Sequence, residues 1–224
     1  MSLRDIRVQE SIPIHWTGCS TTSPQHDPMR GRHSRNGITS SGVSANTRIE
    51  TLRGSVAARD LQIGDQVKVL SGGFSTLRWV GTSRPQDDIG LPMRRYTADG
   101  NESTTLLTGE HLVLVSDPKI ALLFGVDEVL CPAKHLVKAG FFVPDPSVNP
   151  TFVHLLFDTY ELVQTGDDWV ESLWPDMDQI RAVEPDTAQE IMTLLPKLSS
   201  RQGLASYIQT RPILDEREAA VLFG

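Results

Sequence analysis

From Thr47 onward the chain alternates. Thr47-Arg48-Ile49-Glu50-Thr51-Leu52 sets polar against apolar residues with a period of two, and Arg53-Gly54 closes the run as a turn. Gln66-Val67-Lys68-Val69-Leu70 alternates again. Ser71-Gly72-Gly73 then makes a hairpin loop, because glycine reaches positive φ without a steric cost. Phe74 to Val80 is expected as the return strand. Further strands are expected at Thr104–Leu107, His111–Val115, Glu128–Leu130, Phe141–Val143, Thr151–Phe157, Tyr160–Gln164 and Trp169–Leu173. Between Thr82 and Ser103 the chain reads as a polar loop. Short strands separated by turn residues predict an all-β body.

The period changes near Pro185. Asp186-x-x-Gln189 is a capping-box pattern, and Ile191, Leu194 and Leu195 follow on one helical face until Pro196. Asp215-x-x-Glu218 opens a second short helix. At the other end, Thr17 to Ser41 is rich in Ser, Thr, Gly, Pro, Arg and His and has no apolar period. Such a composition does not offset the entropy of ordering. The expected organisation is a mobile arm over 1–41, with a short docked piece at Ile12–Trp16, a β domain over 42–176, and a helical tail over 177–224 packed on it.

Composition narrows the function classes. The 224 residues carry 28 acids against 21 Lys and Arg, a formal charge of -7. A nucleic-acid binder would carry a basic stripe, so no nucleic-acid partner is expected, and Arg94-Arg95 reads as a solvated pair. Two cysteines, Cys19 and Cys131, make neither a disulfide framework nor a Cys-rich zinc site. Cys131 lies in the apolar run Glu128–Pro132 and reads as a small buried hydrophobe. No window approaches the roughly 20 apolar residues of a membrane span. The start lacks the apolar core of a secretory signal, so the expected compartment is the cytoplasm, or the exterior by a non-classical route.

The chemistry-bearing residues are few. His15, His26 and His33 fall in the arm, and His135 reads as structural. His111 and His154 each head an apolar strand, where partial desolvation brings a histidine's titration into play. Thr108-Gly109-Glu110-His111 brings a hydroxyl and an imidazole across one tight turn, a pairing suited to acyl transfer at a peptide bond. No Gly-x-Ser-x-Gly elbow, phosphate loop, dinucleotide fingerprint or His-Glu-x-x-His helix is present. The acidic pairs Asp87-Asp88, Asp167-Asp168 and Asp176-Met177-Asp178 read as solvated turns rather than calcium loops. No cofactor is expected; a metal-dependent hydrolase built on His111 and His154 is a minor alternative.

Taken in order, these segments resemble the bacterial branch of the Hint superfamily, the hedgehog/intein-type autoprocessing domains. The resemblance rests on Thr47–Gly54, Ala58–Val67, Leu77–Gly81, Thr108–Leu114, Asp127–Val137, Val153–Val163 and Trp169–Leu173, and extends through Pro196–Leu198 and Arg211–Ala219, so it covers about residues 42–222. It implies an all-β, pseudo-two-fold Hint fold with a short helical C-terminal tail. It also implies a chemistry in which a Cys or Ser attacks the preceding carbonyl and the resulting thioester or ester is then resolved. Thr108 and His111 match the family's Thr-x-x-His block, which orients the scissile peptide and protonates its nitrogen. The domain's own N-terminal segment would be the substrate.

Three departures stand out. Gly42 occupies the position of the family nucleophile, flanked by Ser41 and Ser44. The His-Asn pair that inteins use for splicing is absent from Val221-Leu222-Phe223-Gly224, so splicing is not expected. Tyr160 stands where the branch often has a second histidine. The expected site residues are therefore Thr108, His111, Ser41, Ser44 and His154, in a domain degenerate in its nucleophile. The rival expectation is a catalytically inactive β scaffold for protein interaction or export.

Overall fold

The computed structural model describes residues 41–83, 91–97, 100–207 and 210–224. The expectations for the arm, including Ile12–Trp16, Cys19, His15, His26 and His33, lie outside these residues, as does Asp87-Asp88. The chain runs β1 (Val43–Ser44), β2 (Arg48–Thr51), β3 (Gly54–Ala57), β4 (Gln66–Lys68), β5 (Phe74–Thr76), β6 (Trp79–Ser83), β7 (Met93–Tyr96), β8 (Glu102–Leu107) and β9 (Leu112–Ser116). There follow α1 (Pro118–Phe124), β10 (Glu128–Pro132), β11 (Phe142–Pro144), β12 (Phe152–Leu156), β13 (Leu162–Thr165) and β14 (Asp168–Glu171). Four helices close it: α2 (Met177–Val183), α3 (Pro185–Leu194), α4 (Arg201–Ser206) and α5 (Glu216–Phe223).

The strands form one six-stranded sheet, in the order β11-β7-β8-β1-β12-β6, and two four-stranded sheets, β10-β9-β14-β13 and β3-β2-β4-β5. Pairing between the strands is antiparallel. The two-residue strand β1 matters most for function. It sits inside the large sheet, with Val43 opposite Leu107 on one side and Val153 on the other. The chain entering β1 is thereby held against the ends of β8 and β12.

The alternating segments do form strands, because each buries one face. Ile49, Val67, Val113, Val153 and Val163 are buried in the main core. The hairpin β4–β5 turns at Gly72 and Gly73, whose φ values are 122° and 74°. Two strand expectations need correction. The return strand over 74–80 is two strands, because the chain leaves the small sheet at Leu77 and joins the large one. The Leu77 amide donates to the Asp65 carbonyl and the Arg78 amide to Leu156. A period of two runs through such a crossing unchanged, so the pattern does not reveal it.

The second correction lies in the stretch read as a polar loop, which holds β7. Arg94 and Arg95 are not solvated. Arg94 pairs with Asp145 at 2.6 Å and Arg95 with Asp168 at 2.7 Å, and the Arg95–Asp168 side chains are only 15% and 16% exposed. Arg95 also lies over the rings of Phe141 and Phe142. Asp168 is thus an ion-pair partner at the head of β14 rather than a solvated turn residue. The polarity of this strand is the polarity of its pairing, which a hydropathy pattern reads as loop.

The helices differ from expectation at their starts. No element is expected over 118–124, yet Asp117 caps α1 by accepting from the Lys119 amide, Pro118 begins it, and Gly125 ends it in the left-handed region. Asp176, read as a solvated turn residue, caps α2 by accepting from the Gln179 amide at 3.0 Å. The Asp186–Gln189 box does not form: α3 starts two residues earlier than that box implies, at Pro185 after Glu184, without a side-chain cap. Proline at the first position removes one of the amides a cap would serve. The Asp215–Glu218 box of α5 does form, in both directions.

α2, α3 and Tyr207 fill a second core with Trp79 and Leu156 of the large sheet. α5 buries Ala219 and Leu222 in the main core. No described helix is long and apolar enough to cross a membrane.

Candidate functional site

The entry of β1 and the Thr108–His111 turn meet by backbone bonds. The Thr108 amide donates to the Gly42 carbonyl at 3.1 Å, and the His111 amide donates back to Thr108 to close the turn. The segment after β10 clamps this turn from outside, with Ala133 donating to the His111 carbonyl and Lys134 to that of Gly109. His111 is thus buried and held beside the junction.

Ser41 is the first described residue. Its Oγ lies 2.9 Å from His111 Nδ1 and donates to Glu171 Oε1 at 2.8 Å. A hydroxyl has one proton to give. With that proton donated in the hydrogen bond to Glu171, the bond to His111 requires Nδ1–H as donor. The ring therefore offers a proton at the junction, and the carboxylate is placed to take one. Glu171, the buried last residue of β14, also accepts from the Leu112 amide at 3.0 Å and from the Tyr160 hydroxyl at 3.2 Å. A buried carboxylate with several donors satisfies its lone pairs and stays aimed.

His154 completes the lining from β12. Its Nε2 lies 2.7 Å from Ser83 Oγ. Its ring lies against Gly42: a Cβ added there would sit 3.0 Å from His154 Cε1 and 3.0 Å from Phe152 Cβ. Burial pushes the His154 imidazole down to about 4, a shift the Ser41 carbonyl opposes in part and His111 reinforces. His154 is therefore neutral at pH 7. Between about 4 and 6.5 the unfolded chain binds a proton that the folded chain refuses. This contribution to stability is complete above pH 6.5, is lost as pH falls toward 4, and amounts to roughly 3 kcal/mol. Denaturant titrations at neutral and acid pH are expected to show that loss in the wild type and a much smaller one in His154→Gln.

Of the residues expected at the site, Ser41, His111 and His154 line one small pocket with Gly42, Glu171 and Leu173. Thr108 reaches it through its backbone. Ser44 lies elsewhere: its Oγ pairs with Thr47 Oγ1 at 3.1 Å in the interior, and Thr47 in turn bonds the backbone of Leu106. Ser41 precedes β1, whereas Ser44 is its second residue and is buried. The minor metal alternative finds no support in the donor set, since no group of three His, Cys, Asp or Glu among the described residues could hold an ion.

Glu171 was not anticipated. Its signal is the alternation Trp169-Val170-Glu171-Ser172-Leu173, which puts an acid on the face shared with Leu173. A charged residue in a buried register is the kind of position to flag.

Comparison with known families decides what this arrangement belongs to. A family model described as Hint domain matches residues 42–177. The chain belongs to the Hint domain family. Solved structures similar to it include inteins. The crystal structure of the gp41-1 intein is 11% identical, with 59% of this chain and 98% of that one covered and a TM-score of 0.34. The MchDnaB-1 intein is 11% identical over 58% and 98%, with a TM-score of 0.37. A splice-inactive variant of the AceL NrdHF class 3 split intein is 8% identical over 59% and 97%, with a TM-score of 0.41. No match is found among the curated proteins. The expected all-β Hint fold with a short helical tail is thus the fold of this chain. In this Hint domain the match begins at Gly42, directly after Ser41.

Proposed function

We propose that this Hint domain is a self-processing acyl-shift module whose nucleophile is the Ser41 hydroxyl and whose substrate is its own N-terminal segment. The observation that carries the reading is Ser41 Oγ held between His111 Nδ1 at 2.9 Å and Glu171 Oε1 at 2.8 Å. Ser41 Oγ attacks the carbonyl carbon of Ser40 and its proton passes to Glu171. The C–N bond then breaks, and His111 in its protonated form gives the Nδ1 proton to the Ser41 nitrogen. The proton on Glu171 afterwards restores His111. The product is an ester joining residue 40 to Ser41 Oγ, with a free amine at Ser41. Water, or added hydroxylamine, attacks that ester and releases residues 1–40. A serine hydroxyl is a weak nucleophile until a base activates it, and Glu171 fills that role here. Incubating the full chain with and without hydroxylamine, followed by intact-mass measurement, is expected to yield the 41–224 fragment. A chain that stays whole in both arms overturns the proposal.

Gly42 favours a second reading. It supplies no side chain where the family places its nucleophile, and its neighbours close in to 3.0 Å from where a Cβ would stand. On this reading the domain is a non-catalytic β scaffold for protein interaction or export. The same incubation separates the two, since a scaffold gives no fragment with hydroxylamine.

A further inference from the structure

The matched family region ends at residue 177, but the packing around the site does not. The Tyr160 hydroxyl that bonds Glu171 belongs to a ring seated in an aromatic cluster. Its centroid is 6.0 Å from that of Trp174 and 6.5 Å from that of Tyr207, and Trp174 and Tyr207 are 5.9 Å apart, all edge-to-face. Tyr207 follows α4, is fully buried, and donates to the Leu173 carbonyl at 3.4 Å. The Lys197 ammonium lies over the Tyr207 ring, 5.8 Å from its centroid. The helices α2 and α3 close the same core through Met177, Ile180, Ala188 and Ile191. A line of contact therefore runs from the helical segment through Tyr207 and Tyr160 to the carboxylate that accepts the Ser41 proton.

We infer that Tyr160 is a positioning residue for Glu171, and that the helical segment 177–207 forms part of the functional unit by holding Tyr160 in place. The inference rests on the processing role proposed for Glu171, and it assigns a task to a segment the family match leaves out. Tyr160 donates to Oε2 while Ser41 uses Oε1, so the two bonds set the rotation of the carboxylate and stabilise its ionised form. His111, through Ser41, and His154 across the pocket also face this carboxylate.

The test is a carbon-13 NMR titration of the Glu171 carboxyl in the full chain carrying Ser41→Ala, which cannot be processed. Tyr160→Phe keeps the ring and removes the donor. It is expected to raise the Glu171 midpoint by about half a pH unit or more. Tyr207→Leu, which removes the supporting ring, is expected to move the midpoint in the same direction, whereas Tyr207→Phe leaves it in place. If Tyr207→Leu does not fold, Leu204→Ala, at a partly buried position against the same core, replaces it. In the unmutated Ser41 background, the acid limb of hydroxylamine-dependent release shifts upward with Tyr160→Phe. An unchanged midpoint in Tyr160→Phe overturns the role of Tyr160. An unchanged midpoint in the ring-removing variant overturns the role of the tail. A wild-type chain that never releases its N-terminal segment overturns the processing reading alone, because the titration does not depend on cleavage.

Discussion

Ser41→Ala abolishes hydroxylamine-dependent release of residues 1–40, whereas Ser44→Ala leaves it unchanged. The two serines flank the same glycine and differ only in where the fold sends them. Ser41 Oγ contacts both His111 and Glu171, while Ser44 Oγ is tied to Thr47 in the interior. His111→Ala is expected to slow release by roughly 100- to 10,000-fold, the usual contribution of a placed acid or base. Glu171→Gln should fall in the same range, since an amide keeps the shape and loses the proton acceptor. Ser41→Cys is the informative gain. A thiol is the stronger nucleophile, so release should accelerate and should then respond to added thiols through a thioester. Rates come from intact-mass time courses. If Ser41→Ala is released as fast as the wild type, the scissile chemistry does not use this hydroxyl.

The second large effect is on stability. Ile191→Ala should cost about 2–5 kcal/mol, because Ile191 is 0% exposed in the core shared by α2, α3 and Tyr207. Leu194→Ala, three residues on, should cost less than about 0.5 kcal/mol, because Leu194 is 42% exposed. The helical pattern places Ile191, Leu194 and Leu195 on one stripe, and the structure divides that stripe between interior and solvent. Denaturant midpoints of the two variants measure the difference directly. Equal losses would mean that α3 does not pack as described. The Ile191 variant should also slow release if the tail supports Glu171, which links the stability measurement to the chemistry.

Ser41, His111 and His154, three residues expected from the sequence, line one pocket, and the contacts that the sequence did not reveal have a common cause. His111 was identifiable because Thr108–His111 is a local turn, closed by a bond within the same stretch of residues. His154 was identifiable as a polar residue heading an apolar strand. Choosing between Ser41 and Ser44 was beyond sequence reasoning, since the choice depends on contacts with His111 and Glu171, 70 and 130 residues along the chain. Glu171 was missed because its partners, Ser41 and Leu112, are 130 and 59 residues away in the chain. The strand β7 was missed for a related reason: its arginines are neutralised by Asp145 and Asp168 from distant segments.

By itself the amino-acid sequence determined the alternation that makes this an all-β chain, the helical tail, the Thr-x-x-His turn, and the collinear segments that place it in the Hint family. Each of these depends on neighbours within a few residues or on the order of segments. Only the tertiary structure decided which serine stands at His111, that its hydroxyl donates a hydrogen bond to Glu171, and that Tyr207 and Tyr160 connect the tail to that acid. Those are contacts between residues far apart in the chain. They are set by strand pairing and by the burial of side chains against one another, and a one-dimensional pattern records neither.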